Sequence, residues 1–488
     1  MRPAAVLLFL AVVLAALALL GRAFPQDGLR IGTVTLEFPD AIGQLTAPAE
    51  KKVDISAIIA MRVDSAGAPP SGGTADTLAA DTAEAVNAIP NAVIEYPGGD
   101  PGMLRPALDA LNAAATAPRP VRVLHYGDSQ LEGDRITSYL RNRFQMRWGG
   151  GGTGLLPIID VGPSFSVDRE PTENWQRFSV MERQEPPLGH QRYGALWAFC
   201  RFTPAVPDSL IDDSLAQEGR IVLRKVGRAY GRSQRYTRCR VLFGHNRRPV
   251  TVALGVDGGI PETREYPAGT GLRIAEFIAA PRTSLDLSFT GADSPEVYGV
   301  SLESANGVVV DNIAARGAGG TELRRVDKAL LKAMYDALDV KLLILQFGGN
   351  AVPHIKSAQD AEDYGAWLGS QIATWRKLCG GVPVILIGPS DMSIKDGVEW
   401  TTRPWVEEVN AALRKHALAN GAAYFDLFNA MGGRNSMVSW VEADPPLAAS
   451  DYTHFSPQGA SRMAELFCTA LFNDLNGLVT NTTTPHVE

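Results

Sequence analysis

The sequence predicts an open α/β fold, a parallel sheet covered by helices on both faces, interrupted by an inserted β-sandwich or jelly-roll module. Three observations lead there. In the second half, apolar strand-like runs at 307–313, 340–347, 383–388 and 422–427 alternate with helical patterns at 322–338, 358–378, 405–420 and 455–475; such alternation builds parallel sheets covered by helices. From about 160 to 303 the character changes to short β-prone runs, 220–226, 240–243, 250–256, 272–278 and 284–290, with turn residues between them, the pattern of a sandwich or jelly roll. Ahead of that region, the apolar run 121–126 stops at Gly127 and a helical pattern follows from 133 to 148, so one strand and helix of the α/β unit precede the module.

In chain order, Met1-Arg2-Pro3 and the unbroken apolar run 4–20 have the positive and hydrophobic regions of an export signal, with Gly21-Arg22-Ala23 as a small-x-small cleavage site. A run of this length lies at the border with a membrane anchor, so residues 1–25 are expected to export the chain or tether it, placing the rest in the periplasm or outside the cell. Residues 26–105 hold an alternating stretch, 29–39, expected to pair as one strand with a later domain, and an Ala/Gly/Pro-rich linker across 46–91. The α/β domain is then expected at 106–160 and 306–478, the module at 161–305, and a tail at 479–488. The glycine run 149–154 lacks the Gly-Lys-Ser/Thr ending of a phosphate loop.

The chain has 488 residues, 45% hydrophobic and 20% charged, enough for more than one domain with its own core. A formal charge of −7 and pI near 5.6 argue against a nucleic-acid binder.

The chemistry points to Gly127-Asp128-Ser129. A serine at the carboxyl end of the first strand sits where open α/β sheets bind ligands, although Asp128 and Ser129 are equally suited to capping the next helix. A nucleophilic serine requires a base, an orienting acid and oxyanion donors. Asp451-Tyr452-Thr453-His454 supplies the first two on one short loop, and Arg316-Gly317-Ala318-Gly319-Gly320-Thr321 and Gly348-Gly349-Asn350 supply glycine N–H groups and an amide after strand-like runs. In this order the four blocks resemble the SGNH/GDSL hydrolase family. The inserted module, with Val297 to Glu303 leading into the second block, further resembles bacterial peptidoglycan O-acetylesterases of that family, which carry a carbohydrate-binding-like β module in the same place.

The resemblance implies a flavodoxin-like sheet, Ser129 as nucleophile, His454 as general base and Asp451 as its orienting acid. It also implies an oxyanion hole from the N–H groups of Ser129 and Gly320 and the amide of Asn350, with Gly317 and Gly319 as neighbouring alternatives, and no cofactor. One departure stands out: the third block usually ends Asn-Asp, whereas Ala351 follows Asn350 here. The expected activity is release of O-acetyl groups from a polysaccharide, peptidoglycan favoured, through an acyl-enzyme on Ser129. The alternatives are an O-acetyltransferase working beside a membrane acyltransferase partner, and an inactive glycan-binding protein.

Other residues carry weaker expectations. His125 lies inside the first strand and is expected to be packed, while His354 and Asp128 are candidates for lining the cleft. No His/Cys/Asp cluster has metal spacing, so no metal is expected. Cys200 and Cys239 both fall in the module and are candidates for one disulfide. The stretch 220–248 is rich in arginine and contains no acid. It is expected either to be a solvated face or, through Arg224, Arg228 and Arg232, to hold an acidic glycan.

Overall fold

The computed structural model describes residues 3–23, 29–31, 34–36, 52–63, 89, 91–185 and 187–480. At its centre lies the strand Val121–Gly127, buried along its whole length. It pairs in parallel with Val308–Ala314 on one side and Val340–Gln346 on the other. The sheet continues in parallel through Val384–Ile387 and Ala423–Phe425 and ends on the antiparallel edge strand Ile94–Glu95. Numbered along the chain, the five parallel strands lie in the order 2-1-3-4-5, the flavodoxin-like arrangement. The order in which successive strands are added reverses beside the first strand, which opens a crevice at its carboxyl end.

Alternation along each strand feeds two separate cores. Val123, Ile344, Ile385 and Phe425 face Phe467 and Leu471 of the helix Pro457–Thr480, whereas Leu124, Leu343 and Leu386 face Leu368 and Trp375 of the helix Ala358–Leu378. Local signals set the helix starts. Ser357 accepts a hydrogen bond from Asp360 N–H at the head of Ala358–Leu378, and Asp327 accepts from Leu330 N–H at the head of Lys328–Leu338.

The module enters between the first and second parallel strands as two antiparallel sheets. One contains Gly269–Ile278, Arg238–Asn246, Glu296–Glu303, Ala198–Arg201 and Gln176–Ser179, with Gly154–Leu156 paired to Glu296–Glu303. The other contains Glu262–Tyr266, Val250–Val256, Ser284–Gly291, Gln217–Arg224 and Asp168–Pro171. Phe243, Val252, Leu287 and Phe289 fill the space between them. Every residue of Glu296–Glu303 is buried, because one face meets this sandwich core while Tyr298 packs into the core of the α/β domain.

The second anchor is ionic. Arg122, on the first parallel strand, donates two 2.8 Å bonds to Asp311 on the second and bridges to Glu303 of the module, all three fully buried.

Several expectations change. The stretch 29–39 is not one strand awaiting a partner: Leu29–Ile31 and Val34–Leu36 pair with each other as an antiparallel hairpin. Part of the expected linker is folded, since Ile55, Ile58 and Met61 around the short helix Ser56–Ala60 are buried against the α/β core; a short apolar run inside an Ala/Gly/Pro-rich stretch suffices to dock it. Residues 64–88, and the tail after 480, lie outside the described residues. The helix expected from 133 begins at Thr137, after a 3-10 turn Ser129–Asp134 in which Gly133 has φ +67°. The helix expected from 322 likewise splits into a 3-10 turn Glu322–Arg325 and the helix Lys328–Leu338.

The two module cysteines are separate buried thiols. Cys200 and Cys239 belong to strands that flank Glu296–Glu303 on opposite sides. Two strand spacings are about 10 Å, beyond the Cα separation of about 7 Å that a disulfide bridges.

Candidate active site

Gly127 ends the first strand because nothing larger fits: a Cβ there would lie 2.7 Å from Leu131 and 3.0 Å from the Gln346 carbonyl oxygen. The chain then turns, with the Asp128 side chain accepting from Gln130 N–H as N-cap of the 3-10 turn. Capping and display are therefore one arrangement, since the capped turn holds Ser129 over the crevice. Its Oγ lies 2.9 Å from His454 Nε2.

The loop 449–455 builds the other half. Asp451 Oδ1 accepts from the backbone N–H groups of Thr453 and His454, both at 3.0 Å, and its Oδ2 accepts from His454 Nδ1 at 2.7 Å. The same carboxylate thus shapes the loop and orients the imidazole. With Nδ1–H donated to Asp451, Nε2 carries the lone pair that faces the Ser129 hydroxyl. Burial of Asp451 acts to raise its pKa, but the His454 N–H and imidazole, with the Thr453 N–H, outweigh it and the net shift is downward. The acid stays ionised beside the base.

Two residues not singled out from the sequence join the halves. Gln130 donates through Nε2 to the Thr453 carbonyl at 2.8 Å and accepts from Phe455 N–H at 3.3 Å. Arg135 donates to the Ser129 carbonyl at 2.8 Å and the Phe455 carbonyl at 3.1 Å. Their positions just after the serine were a weak signal, because nothing local shows that their partners lie more than 300 residues away.

The serine and histidine open into a cleft of about 640 Å³, also lined by Asp128, Gly317, Gly349 and Asn350. Burial raises the Asp128 pKa to about 6, against the lowering effects of Gln130 N–H, His454 and Asn350. Asn350 lines the cleft, and its amide donates to Asp128 Oδ2 at 3.0 Å and to the Ala318 carbonyl at 3.2 Å.

The candidate glycines differ in placement. Gly317 lines the cleft, whereas Gly320 is buried, its Cβ position 2.7 Å from Leu368 and 2.8 Å from Phe347. His354 is exposed and is not part of the cleft lining. His125 is packed as expected: it shares a 2.9 Å bond with Thr137 Oγ1, and burial lowers its pKa to about 3, which leaves it neutral.

None of Arg224, Arg228 and Arg232 lines the cleft. Arg224 pairs with Glu170 at 2.8 Å and Arg228 with Asp168 at 2.6 Å, while Arg220, Arg247 and Arg248 pair with Asp286, Asp293 and Asp208. A stretch without acids in sequence is largely neutralised in space, because neighbouring strands and loops bring the acids. Among the described residues, no group of three or more His, Cys, Asp or Glu is arranged to hold a metal ion.

This geometry defines a serine-histidine-aspartate unit at the switch point of a flavodoxin-like sheet. Residues 275–462 match the GDSL-like lipase/acylhydrolase family model. The match takes in Asn350, Asp451 and His454 but not Ser129, which the inserted module separates from them in sequence.

Among solved structures, a peptidoglycan O-acetylesterase superposes with a TM-score of 0.58 at 21% identity, covering 78% of this chain and 98% of its own. Two others overlap far less. An acetyl-xylooligosaccharide esterase from Geobacillus stearmophilus gives a TM-score of 0.26 at 19% identity, covering 34% of this chain and 73% of its own. A family two carbohydrate esterase from Cellvibrio japonicus gives 0.24 at 8%, covering 64% and 99%. No curated protein matches the sequence.

Proposed function

We propose that this protein is a carbohydrate O-acetylesterase that works outside the cytoplasm through an acyl-enzyme on Ser129. The observation that carries the reading is the Ser129 Oγ to His454 Nε2 contact of 2.9 Å, backed by Asp451, at the edge of an open cleft.

Ser129 Oγ attacks the acetyl carbonyl carbon while its proton passes to His454 Nε2. The bond to the sugar oxygen breaks and the same proton leaves with the sugar as a hydroxyl. Water then attacks the acetyl-serine, giving its proton to His454, which returns one to Ser129 as acetate departs. The Ser129 N–H and the Asn350 amide hold the oxyanion, Asn350 by giving up its longer bond to the Ala318 carbonyl.

The fold shared with a peptidoglycan O-acetylesterase, module included, favours a cell-wall polysaccharide as substrate. The helix Pro3–Ala23, apolar on every side with Leu7, Leu8 and Leu19 exposed, supports export or tethering. No helix among the described residues is long and apolar enough to cross a membrane.

The test is incubation of the full chain with O-acetylated peptidoglycan, following free acetate and acetyl transfer to added glycan. Acetate release that disappears in a folded Ser129→Ala variant is expected. Wild-type turnover by that variant would remove Ser129 from the mechanism, and acetylated glycan without acetate would reassign the reaction as transfer.

A further inference from the structure

Three arginines line the catalytic cleft, and two of them are committed to the protein itself. Arg135 donates to the carbonyls of Ser129, Glu132 and Phe455. Arg316 grips Glu132 through Nε and Nη2, at 2.7 Å through Nη2. The cleft's acids are occupied as well: Asp451 holds His454, Glu132 holds Arg316, and Asp128 accepts from Gln130 and Asn350. Arg403 completes the lining, and no described residue makes an ion pair or a side-chain hydrogen bond with its guanidinium.

Its backbone is held firmly. The Arg403 N–H donates to the Met392 carbonyl at 2.7 Å. The preceding Thr402 donates through its hydroxyl to the buried Asp391 at 2.8 Å and through its N–H to Asn435 Oδ1 at 2.9 Å. Pro404 follows and narrows the backbone choices further. A permanently charged group with five donors and no acceptor, half-buried in a concave site and paired with none of the cleft's carboxylates, has its donors open to a ligand. A carboxylate offers it two parallel charge-assisted hydrogen bonds.

We infer that Arg403 is a specificity-determining residue that takes a carboxylate on the sugar unit whose ester Ser129 attacks, so that the substrate is an acidic glycan. The inference rests on the esterase reading above and adds the substrate's charge. With a net charge of −7, the molecule as a whole repels such a polymer, so recognition is local and belongs to the cleft, not to the neutralised arginines of the module.

The test compares kcat/KM of the full chain on an O-acetylated uronic-acid disaccharide and on the same compound after carboxyl reduction. The wild type is expected to prefer the acid by about 10- to 100-fold, the worth of a hydrogen bond to a charged group, and the preference to appear in KM and to shrink as salt rises. Arg403→Gln should bring the ratio to about one, Arg403→Glu below one, and Arg403→Lys should keep part of it. A ratio normalises for lost folded protein, and the wild-type ratio decides even where a variant does not fold. No wild-type preference for the acid, or a preference that survives in Arg403→Gln, overturns the inference while leaving the esterase reading intact. Failure to release acetate from either disaccharide and from p-nitrophenyl acetate sinks the esterase reading and this inference with it.

Discussion

Asp451 does two jobs with two oxygens, and replacing it separates them. Asp451→Asn keeps one acceptor but offers the imidazole a donor in place of the second, so His454 loses its fixed tautomer. We expect about a 100-fold loss in kcat on a small acetyl ester, smaller than the loss for Ser129→Ala because the acid only orients the base. A larger effect for Asp451→Asn than for Ser129→Ala in the same assay would contradict that ordering.

Asp128 makes a pH prediction. Its native pKa is raised to about 6 from an ordinary 3.8, so between those values the native state binds more proton than the unfolded state. Its contribution to stability is therefore greatest at low pH and falls as pH rises through that window, by up to about 3 kcal/mol. Urea unfolding from pH 4 to 7 should show this decline in the wild type and a flatter profile in Asp128→Asn. Parallel profiles for the two proteins would rule the assignment out.

At the scale of elements, the hairpin of Ser393–Asp396 and Glu399–Thr402 supports the catalytic loop. Trp400 stacks on Tyr452 with ring centroids 3.8 Å apart, and Ser393 N–H donates to the Tyr452 carbonyl at 2.9 Å. Tyr452 itself has φ +54°, a conformation that side-chain-bearing residues adopt only when held. Trp400→Ala removes an aromatic pair worth about 1 kcal/mol from a peripheral hairpin. It should lower kcat roughly tenfold through a loosened His454 while shifting the thermal midpoint by only a few degrees. Steady-state kinetics beside calorimetry tests this, and a large midpoint shift with unchanged kcat would make the stack structural only.

At the scale of the whole molecule, the buried cluster of Arg122, Asp311 and Glu303 fastens the module to the sheet. Arg122→Met leaves two buried carboxylates without their main counter-charge, for which a loss of about 3–5 kcal/mol is expected in denaturant unfolding. Replacing all three with apolar residues of similar size should cost less than the single change, because no buried carboxylate is left unpaired and Arg240, which loses its 3.3 Å contact with Glu303, keeps Glu276. The reverse order would mean that the cluster stabilises the fold outright.

Local rules were enough for the strands and helices of the α/β unit. Ala358–Leu378 and Val250–Val256 end where their periodicity does, and the four blocks named Ser129, Asn350, Asp451 and His454 because a nucleophile, a donor, an acid and a base are rare in that order. What no local rule carries is distance across the fold. Gly320 and Gly317 are equivalent as letters, and only the fold sets one against Leu368 and Phe347 and the other along the cleft. The arginines of 220–248 read as a basic run until the sheet sets Glu170, Asp168 and Asp286 beside them. Arg403 carried no signal of its own. Its standing depends on every other charge in the cleft already having a partner, and partnership between residues hundreds of positions apart is settled only when the chain is folded.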